Sequence, residues 1–314
     1  MSLDQLAKAI ADKQNPTVAG LDPKLGFIPD FIRQESFARH GKTLTGAAEA
    51  ILTYNKGLID ALCDVVPAVK PQCAYYELYG WPGVRTLHET IAYAKEKGLY
   101  VITDGKRNDI GTTMEAYAAA HLGQTDVDGV FFRSFAGDAL TVNGYLGSDG
   151  IQPLLNICQS ADAGIFVLVK TSNPSSGELQ DLTFKDDRTL YAVMGALCES
   201  WGKALPGKYG YSGVGAVIGA TYPEQLGEMR AALPNTFFLV PGYGAQGAGA
   251  WDVLPAFDRH GLGAVVNSSR AILRAWQKEN AEPEDYAGAA RREALRMRTE
   301  FRELLGEIVL PSPM

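Results

Sequence analysis

The sequence predicts an α/β fold, a (β/α)8 barrel. Eight short apolar runs alternate with longer segments of helical periodicity, which is the pattern of repeated βα units. Most of these runs are continuously apolar, as expected for parallel strands covered on both faces. No Pro-rich or Ser-rich linker divides the 314 residues, so one barrel with insertions, spanning residues 1–314, is favoured over two domains of about 150 residues each.

The elements follow from these patterns in chain order. The predicted strands cover residues 17–22, 68–72, 99–104, 129–133, 164–170, 213–218, 236–240 and 263–267. Predicted helices cover residues 1–13, 45–65, 83–97, 190–204, 223–233 and 286–305. Three stretches are interpreted as insertions into a minimal barrel, residues 23–44, 134–163 and 173–187. The last is rich in Ser, Gly and acidic residues and directly follows a strand, which predicts a mobile lid at the catalytic mouth.

The amino-acid composition argues against several classes of binding partner. Lys and Arg total 29 against 36 Asp and Glu, a net charge of −7, which argues against nucleic acid as a partner. The four cysteines lack the paired short spacings of a zinc site, so we expect reduced thiols and no metal. No export signal is visible, and no apolar run approaches the ~20 residues that span a bilayer. We therefore expect a cytoplasmic protein with no membrane partner.

The strongest chemical signal directly follows the third predicted strand. Asp104 and Lys106 are two residues apart and point to the same side while the chain stays extended. Asp109 lies beyond them on the loop. Two carboxylates beside one ammonium would hold that lysine protonated. An ordinary ion pair at a strand end is the alternative interpretation.

Two neighbouring strands end in further charged residues. Asp22 ends the first predicted strand and Lys70 ends the second. In such barrels the active site lies at the C-terminal ends of the strands. Convergence of these charges with Asp104 and Lys106 on one opening favours a catalytic cluster over separate solvated side chains.

The loops after the last two strands predict a phosphate site. Residues 241–247 are rich in glycine, and Arg270 follows the eighth strand. Glycines let backbone N–H groups approach an anion, and an arginine grips phosphate with two hydrogen bonds. Gln246 is positioned to donate beside Arg270. The segment also matches G-x-G-x-x-G, but it lies too late in the chain for a dinucleotide site, so no cofactor is expected.

The sequence resembles orotidine 5'-phosphate decarboxylases of the longer bacterial branch. The resemblance is carried by Asp104-x-Lys106-x-x-Asp109-Ile110, with Asp22 and Lys70 ahead of it, and extends over most of the chain. Its further segments are Val18-Ala19-Gly20-Leu21-Asp22-Pro23, Ala68-Val69-Lys70-Pro71-Gln72, Thr141-Val142-Asn143-Gly144-Tyr145-Leu146-Gly147 and Val266-Asn267-Ser268-Ser269-Arg270.

The resemblance implies roles for individual residues. It implies that Asp22 accepts from a ribose hydroxyl, that Lys70 joins the charged network and that Ser172 bonds the pyrimidine edge. Gln246, Ser269 and Arg270 match the loops that hold the nucleotide phosphate, although compact members often have Gly where Ser269 stands. Thr113 contacts the base or ribose, or only caps the following helix. Ser172 also has a simpler interpretation, as a turn residue.

The resemblance further implies the conversion of orotidine 5'-phosphate to UMP and CO2 in pyrimidine synthesis, without a cofactor. Lys106 would stabilise the carbanion and donate the proton, while Asp104 and Asp109 hold its ammonium. The aspartate matching Asp109 reaches the neighbouring subunit's site in the family, which implies a homodimer with shared sites. Two alternatives remain: a metal-dependent sugar-phosphate decarboxylase or aldolase of the same barrel group, and a non-catalytic barrel that binds a phosphorylated metabolite.

Overall fold

A computed structural model describes residues 2–243 and 249–313. The strands within these residues are β1 (Thr17–Leu21), β2 (Ala68–Pro71), β3 (Tyr100–Arg107), β4 (Thr125–Val127), β5 (Val130–Phe132), β6 (Ala139–Val142), β7 (Gly164–Lys170), β8 (Val214–Ile218), β9 (Phe238–Val240) and β10 (Ala264–Ser268). Eight of them form a closed barrel in the order β1-β10-β9-β8-β7-β6-β3-β2, and every neighbouring pair is parallel. The predicted (β/α)8 barrel is confirmed.

The helices within the described residues surround this barrel. They are α1 (Ser2–Lys13), α2 (Asp30–His40), α3 (Leu44–Leu62), α4 (Ala74–Glu77), α5 (Gly80–Glu96), α6 (Gly111–His121), α7 (Ser148–Ala161), α8 (Gly177–Gln180), α9 (Leu190–Gly202), α10 (Pro223–Ala232), α11 (Ala250–Val253), α12 (Arg270–Leu273), α13 (Ala275–Glu279) and α14 (Tyr286–Leu305). None of them is long and apolar enough to cross a membrane.

Local sequence explains where the long helices begin and end. The Thr43 side chain accepts a hydrogen bond from the Gly46 N–H and caps α3, and Thr189 caps α9 in the same way. Helix α14 stops at Gly306, whose φ of 71° lies in the left-handed region that glycine adopts at little cost.

The prediction for the fourth barrel strand was wrong. Residues 129–133 contain β5, which pairs antiparallel with β4 in a separate two-stranded hairpin. Val130, Phe131 and Phe132 are exposed, whereas all four residues of β6 are buried between β3 and β7. The fourth barrel strand is therefore β6.

This correction also changes the predicted insertions. The stretch 134–163 is not an addition, because it contains barrel strand β6 and the following helix α7. The stretch 23–44 forms a short 3-10 helix and α2, and the stretch 173–187 contains α8.

The hydrophobic core consists of two clusters, which correspond to the two faces of the barrel strands. One cluster joins Val18, Ile102 and Val265 to Leu6 and other apolar side chains of α1, and a second cluster contains the intervening strand residues and the outer helices. Successive strand residues point to opposite faces. The first cluster therefore fills the barrel, and α1 packs against it.

Candidate active site

The inward positions of three adjacent strands become polar at the mouth. Lys70 lies two residues beyond the inward Ala68 in β2, and Asp104 lies two beyond the inward Ile102 in β3. Thr141 follows Ala139 in β6 in the same way. All three polar side chains are buried. Alternation along parallel strands thus brings together side chains that are far apart in sequence.

Asp104 is the centre of a charged network. Its Oδ2 accepts a hydrogen bond from the Lys70 Nζ at 2.5 Å, and its Oδ1 accepts from the Lys106 Nζ at 2.7 Å. The Thr141 hydroxyl donates to the same Oδ1 at 2.7 Å. The structure therefore places Asp104, Lys106 and Lys70 together, and it adds Thr141.

The network fixes the charge states of its buried members. Burial alone would raise the pKa of Asp104, but the ammonium groups of Lys70 and Lys106 outweigh it and hold that pKa well below its usual range. Burial alone would lower the pKa of Lys70, but the charges of Asp104 and Asp22 outweigh it and raise that pKa. A buried carboxylate and a buried ammonium thus both stay ionised at neutral pH.

Lys106 reaches Asp104 through an unusual backbone conformation. Its φ is 47°, in the left-handed region, which costs a residue with a Cβ about 1–2 kcal/mol. The β3–β6 register shifts between Thr103 and Arg107, so β3 is irregular here and re-aims this side chain. The assumption of an extended chain at Lys106 was therefore wrong, although the predicted ion pair with Asp104 is present.

A cleft with two lobes lies over this network. We call them the arginine lobe, about 430 Å³, which contains Asp22 and Arg270, and the leucine lobe, about 470 Å³, which contains Leu168 and Leu239. Residues that line both lobes are Lys70, Asp104, Pro241 and Asn267. Lys106, with 46% of its side chain exposed, lines the leucine lobe. The lobes therefore form one continuous site, with one end lined by charged side chains and the other end lined by aliphatic side chains.

The arginine lobe is built by the segment after β10. Ser269 precedes the first residue of α12, Arg270, and both line the lobe. The chain passes so close to β1 that a Cβ on Gly20 would lie 2.0 Å from the Ser269 Oγ, which only glycine at that position permits. Gln246, predicted to lie beside Arg270, falls outside the described residues.

Two acceptor atoms in this lobe are buried. Within the described part of the chain, Asp22 Oδ1 and Asn267 Oδ1 have no hydrogen-bond partner. Unpaired buried acceptors are costly, so they mark a place where a ligand donor would be favourable.

The predicted lid is tied to the end of β7. The Lys170 Nζ, almost fully buried, pairs with the Asp181 carboxylate at 2.5 Å. The Thr171 N–H donates to Gln180 Oε1 at 2.9 Å, and Gln180 Nε2 donates to the Thr171 hydroxyl at 2.7 Å. Ser172 follows directly and lines the leucine lobe, so these contacts fix the backbone beside it.

Two predicted site residues do not line the cleft of their own chain. Asp109 accepts a hydrogen bond from the Ile110 N–H at 2.8 Å, and no ion pair links it to Lys106 among the residues described. Thr113 is exposed in the first turn of α6. Within one chain, Lys106 is therefore held by Asp104 and not by Asp109.

Sequence reasoning missed Thr141, Lys24, Asn267 and Gln180 as cleft residues. The signal for Thr141 is its inward position in β6, which becomes visible only once that strand is placed. Across residues 2–243 and 249–313, no group of three or more His, Cys, Asp or Glu side chains is arranged to hold a metal ion.

Comparison with known proteins decides the family. The model of the "Orotidine 5'-phosphate decarboxylase / HUMPS family" matches residues 50–283. A protein of Rhodopirellula baltica named orotidine 5'-phosphate decarboxylase is 44% identical over 303 residues, which cover 95% of this chain and 98% of that protein. This chain belongs to the orotidine 5'-phosphate decarboxylase / HUMPS family.

Other members of the family agree in sequence and in fold. An orotidine 5'-phosphate decarboxylase of Caldicellulosiruptor saccharolyticus is 42% identical, over 87% of this chain and 90% of that protein. The structure of Leishmania donovani OMP decarboxylase superposes with a TM-score of 0.70 at 30% identity, over 95% of this chain and 98% of that one. A Streptomyces avermitilis structure described as orotidine 5'-phosphate decarboxylase gives a TM-score of 0.73 at 31% identity, over 95% of each chain.

Proposed function

We propose that this chain converts orotidine 5'-phosphate to UMP and CO2, the closing step of pyrimidine nucleotide synthesis, without a cofactor. The observation that carries the proposal is the network in which buried Asp104 holds the Lys106 ammonium against the leucine lobe, 2.7 Å from its carboxylate. The names of the relatives described above favour this substrate over a sugar phosphate.

Loss of CO2 breaks the bond from C6 of the pyrimidine and leaves the electron pair in the plane of the ring, where no conjugated system spreads it. The ammonium of Lys106 stabilises this charge and then gives a proton to C6. Because Asp104 fixes the ammonium before the reaction, little reorganisation is needed when the charge develops. Lys70 neutralises the other oxygen of Asp104, which keeps Asp104 ionised.

The two lobes of the cleft support a proposal for how the rest of the nucleotide binds. Arg270 and Ser269 bind the phosphate at the arginine lobe, where an arginine provides charge-assisted hydrogen bonds. The resemblance alone adds Gln246, which falls outside the described residues, to the phosphate-binding residues. Asp22 Oδ1, which has no hydrogen-bond partner among residues 2–243 and 249–313, accepts from a ribose hydroxyl. Ser172 bonds the edge of the base in the leucine lobe. Binding of the distant phosphate aligns the base over Lys106.

The direct test follows the ultraviolet absorbance of orotidine 5'-phosphate with purified protein in excess EDTA. We expect steady conversion to UMP that EDTA leaves unchanged. Activity that EDTA abolishes and a divalent metal restores, or turnover of a hexulose phosphate in place of the nucleotide, would favour the metal-dependent alternative. Tight UMP binding without any turnover would favour the non-catalytic barrel.

The positions of Asp109 and Thr113 support a homodimer with shared sites. Both lie outside the cleft of their own chain: Asp109 lies two residues before α6, and Thr113 lies in its first turn. A second copy related by twofold symmetry would bring them to the neighbouring cleft. Asp109 would then act on the partner's Lys106.

Mixing two inactive variants tests the shared sites. In the proposed dimer, each site takes Lys106 from one subunit and Asp109 from the other. A dimer of one Lys106→Ala subunit and one Asp109→Ala subunit therefore has both defects in one site and leaves the other site intact. An equal mixture refolded together is expected to regain about a quarter of wild-type activity. Each variant refolded alone is the control, and no recovery in the mixture would contradict shared sites.

A cytoplasmic location is part of the same proposal. Cys63, Cys73, Cys158 and Cys198 are all free thiols, which supports a reducing compartment. Cell fractionation with an antibody against the chain tests it, and recovery outside the cytoplasmic fraction would contradict it.

A further inference from the structure

One hydroxyl contacts both halves of the central ion pair. Thr141 Oγ1 accepts a hydrogen bond from the backbone N–H of Lys106 at 3.0 Å and donates its own proton to Asp104 Oδ1 at 2.7 Å. Thr141 is 1% exposed, so water does not compete for either bond. The hydroxyl uses its single proton and one lone pair in this way.

The bond to Lys106 supports a strained backbone. Lys106 adopts a left-handed φ of 47° where the β3–β6 register shifts. At this irregularity the Lys106 N–H bonds to a side chain and not to a ladder carbonyl. Thr141 therefore satisfies a backbone donor that the regular sheet leaves unpaired, and it stabilises the conformation that directs the lysine.

The hydrogen bond from Thr141 to Asp104 fixes the carboxylate half of the ion pair. Asp104 Oδ1 accepts from both the Thr141 hydroxyl and the Lys106 Nζ. A hydroxyl that donates to a carboxylate forms a strong, directional hydrogen bond. The oxygen that anchors the ammonium is thus held by a neighbouring strand, independently of the lysine side chain.

We propose that Thr141 is a positioning residue, which sets the direction of the Lys106 ammonium by bonding both its backbone and its carboxylate partner. The proposal rests on the decarboxylation proposed above and deepens it. Thr141 takes no part in proton transfer, because its single hydroxyl proton is donated to Asp104 Oδ1. A displacement of about 1 Å at a reacting group costs up to about 10²-fold in rate.

The experiment compares Thr141→Val, Thr141→Ser and Thr103→Val in steady-state turnover of orotidine 5'-phosphate and in UMP binding by calorimetry. Valine keeps the shape of threonine and removes the hydroxyl, whereas serine keeps the hydroxyl. Thr103 is the matched control, because it is buried in β3 and its hydroxyl has no partner among the described residues.

We expect kcat of Thr141→Val to fall about 10²-fold while KM and the UMP dissociation constant change less than about threefold. Thr141→Ser is expected to recover kcat to within about fivefold of wild type, and Thr103→Val to match wild type. Should Thr141→Val fail to bind UMP, Thr141→Ala, which removes the hydroxyl without adding bulk, replaces it.

Three results would overturn the proposal. The first is a kcat of Thr141→Val equal to that of Thr103→Val. The second is Thr141→Ser as slow as Thr141→Val, which would assign the loss to packing. The third is a loss confined to KM. Absence of turnover by the wild-type protein is a separate outcome, because it contradicts the decarboxylase function itself.

Discussion

Replacement of Asp104 by Asn measures how far the buried charges depend on one another. The Lys70 Nζ lies 2.5 Å from Asp104 Oδ2, and the two side chains are 6% and 8% exposed. Removal of one partner from a buried ion pair costs about 3–5 kcal/mol, because the other charge stays buried without compensation. Asp22 also acts on Lys70, so we expect the lower end, about 3 kcal/mol. An unfolding entropy of about 2.1 cal/mol/K per residue over 314 residues converts this to a fall in Tm of about 4–5 °C.

Differential scanning calorimetry at pH 7 measures this fall. Asp12→Asn is the matched control, because Asp12 pairs with Lys8 on the surface, where the two side chains are 56% and 59% exposed, and such solvated pairs contribute little to stability. Adding Lys70→Met to the Asp104→Asn variant should restore most of the lost Tm. A Tm for Asp104→Asn within about 1 °C of wild type, or no greater loss than for Asp12→Asn, would refute the reasoning.

Two further predictions concern the phosphate site and pH. Arg270→Ala is expected to weaken UMP binding about 10–100-fold in calorimetry, because charge-assisted hydrogen bonds to phosphate are lost. The control, Arg39→Ala on the exposed face of α2, should leave UMP affinity unchanged. Equal affinities of the two variants would contradict a role for Arg270 in phosphate binding. The raised pKa of Lys70 means that its contribution to stability is complete below pH 10.5 and is lost as pH rises through the folded pKa. The depressed pKa of Asp104 means that its contribution is complete above pH 3.8 and is lost as pH falls through the folded pKa. Thermal scans at a series of pH values should therefore show that Tm falls more steeply at alkaline pH in wild type than in Lys70→Met. At acid pH, Tm should fall more steeply in wild type than in Asp104→Asn. Parallel curves of Tm against pH would contradict this prediction.

The barrel was predictable because seven of its strands are apolar runs between clear helices. The fourth strand was not, for a physical reason. Both β5 (Val-Phe-Phe) and β6 (Ala-Leu-Thr-Val) are short runs with strand-forming side chains. Tertiary burial separates them, because β6 lies between β3 and β7 while β5 pairs only with β4. A local pattern carries no information about that choice.

The charged half of the site was also predictable, because Asp22 directly follows β1, Lys70 lies next to the end of β2 and Asp104 lies in the C-terminal half of β3, which are consecutive barrel strands. Sequence alone could not give the left-handed backbone at Lys106, since a residue with a Cβ rarely adopts it. Nor could it place Thr141, whose contribution depends on the misassigned strand. The distance of Asp109 from its own cleft depends on the loop path, which no periodicity encodes.

The central claim is that the Lys106 ammonium, held by Asp104, stabilises the carbanion and supplies its proton. The most direct measurement is kcat of Lys106→Ala for orotidine 5'-phosphate, with UMP affinity measured in parallel and the exposed Lys42→Ala as the control. We predict a fall in kcat of at least about 10⁴-fold with UMP affinity nearly retained, and wild-type rates for Lys42→Ala. Turnover by Lys106→Ala within about tenfold of wild type would contradict the claim.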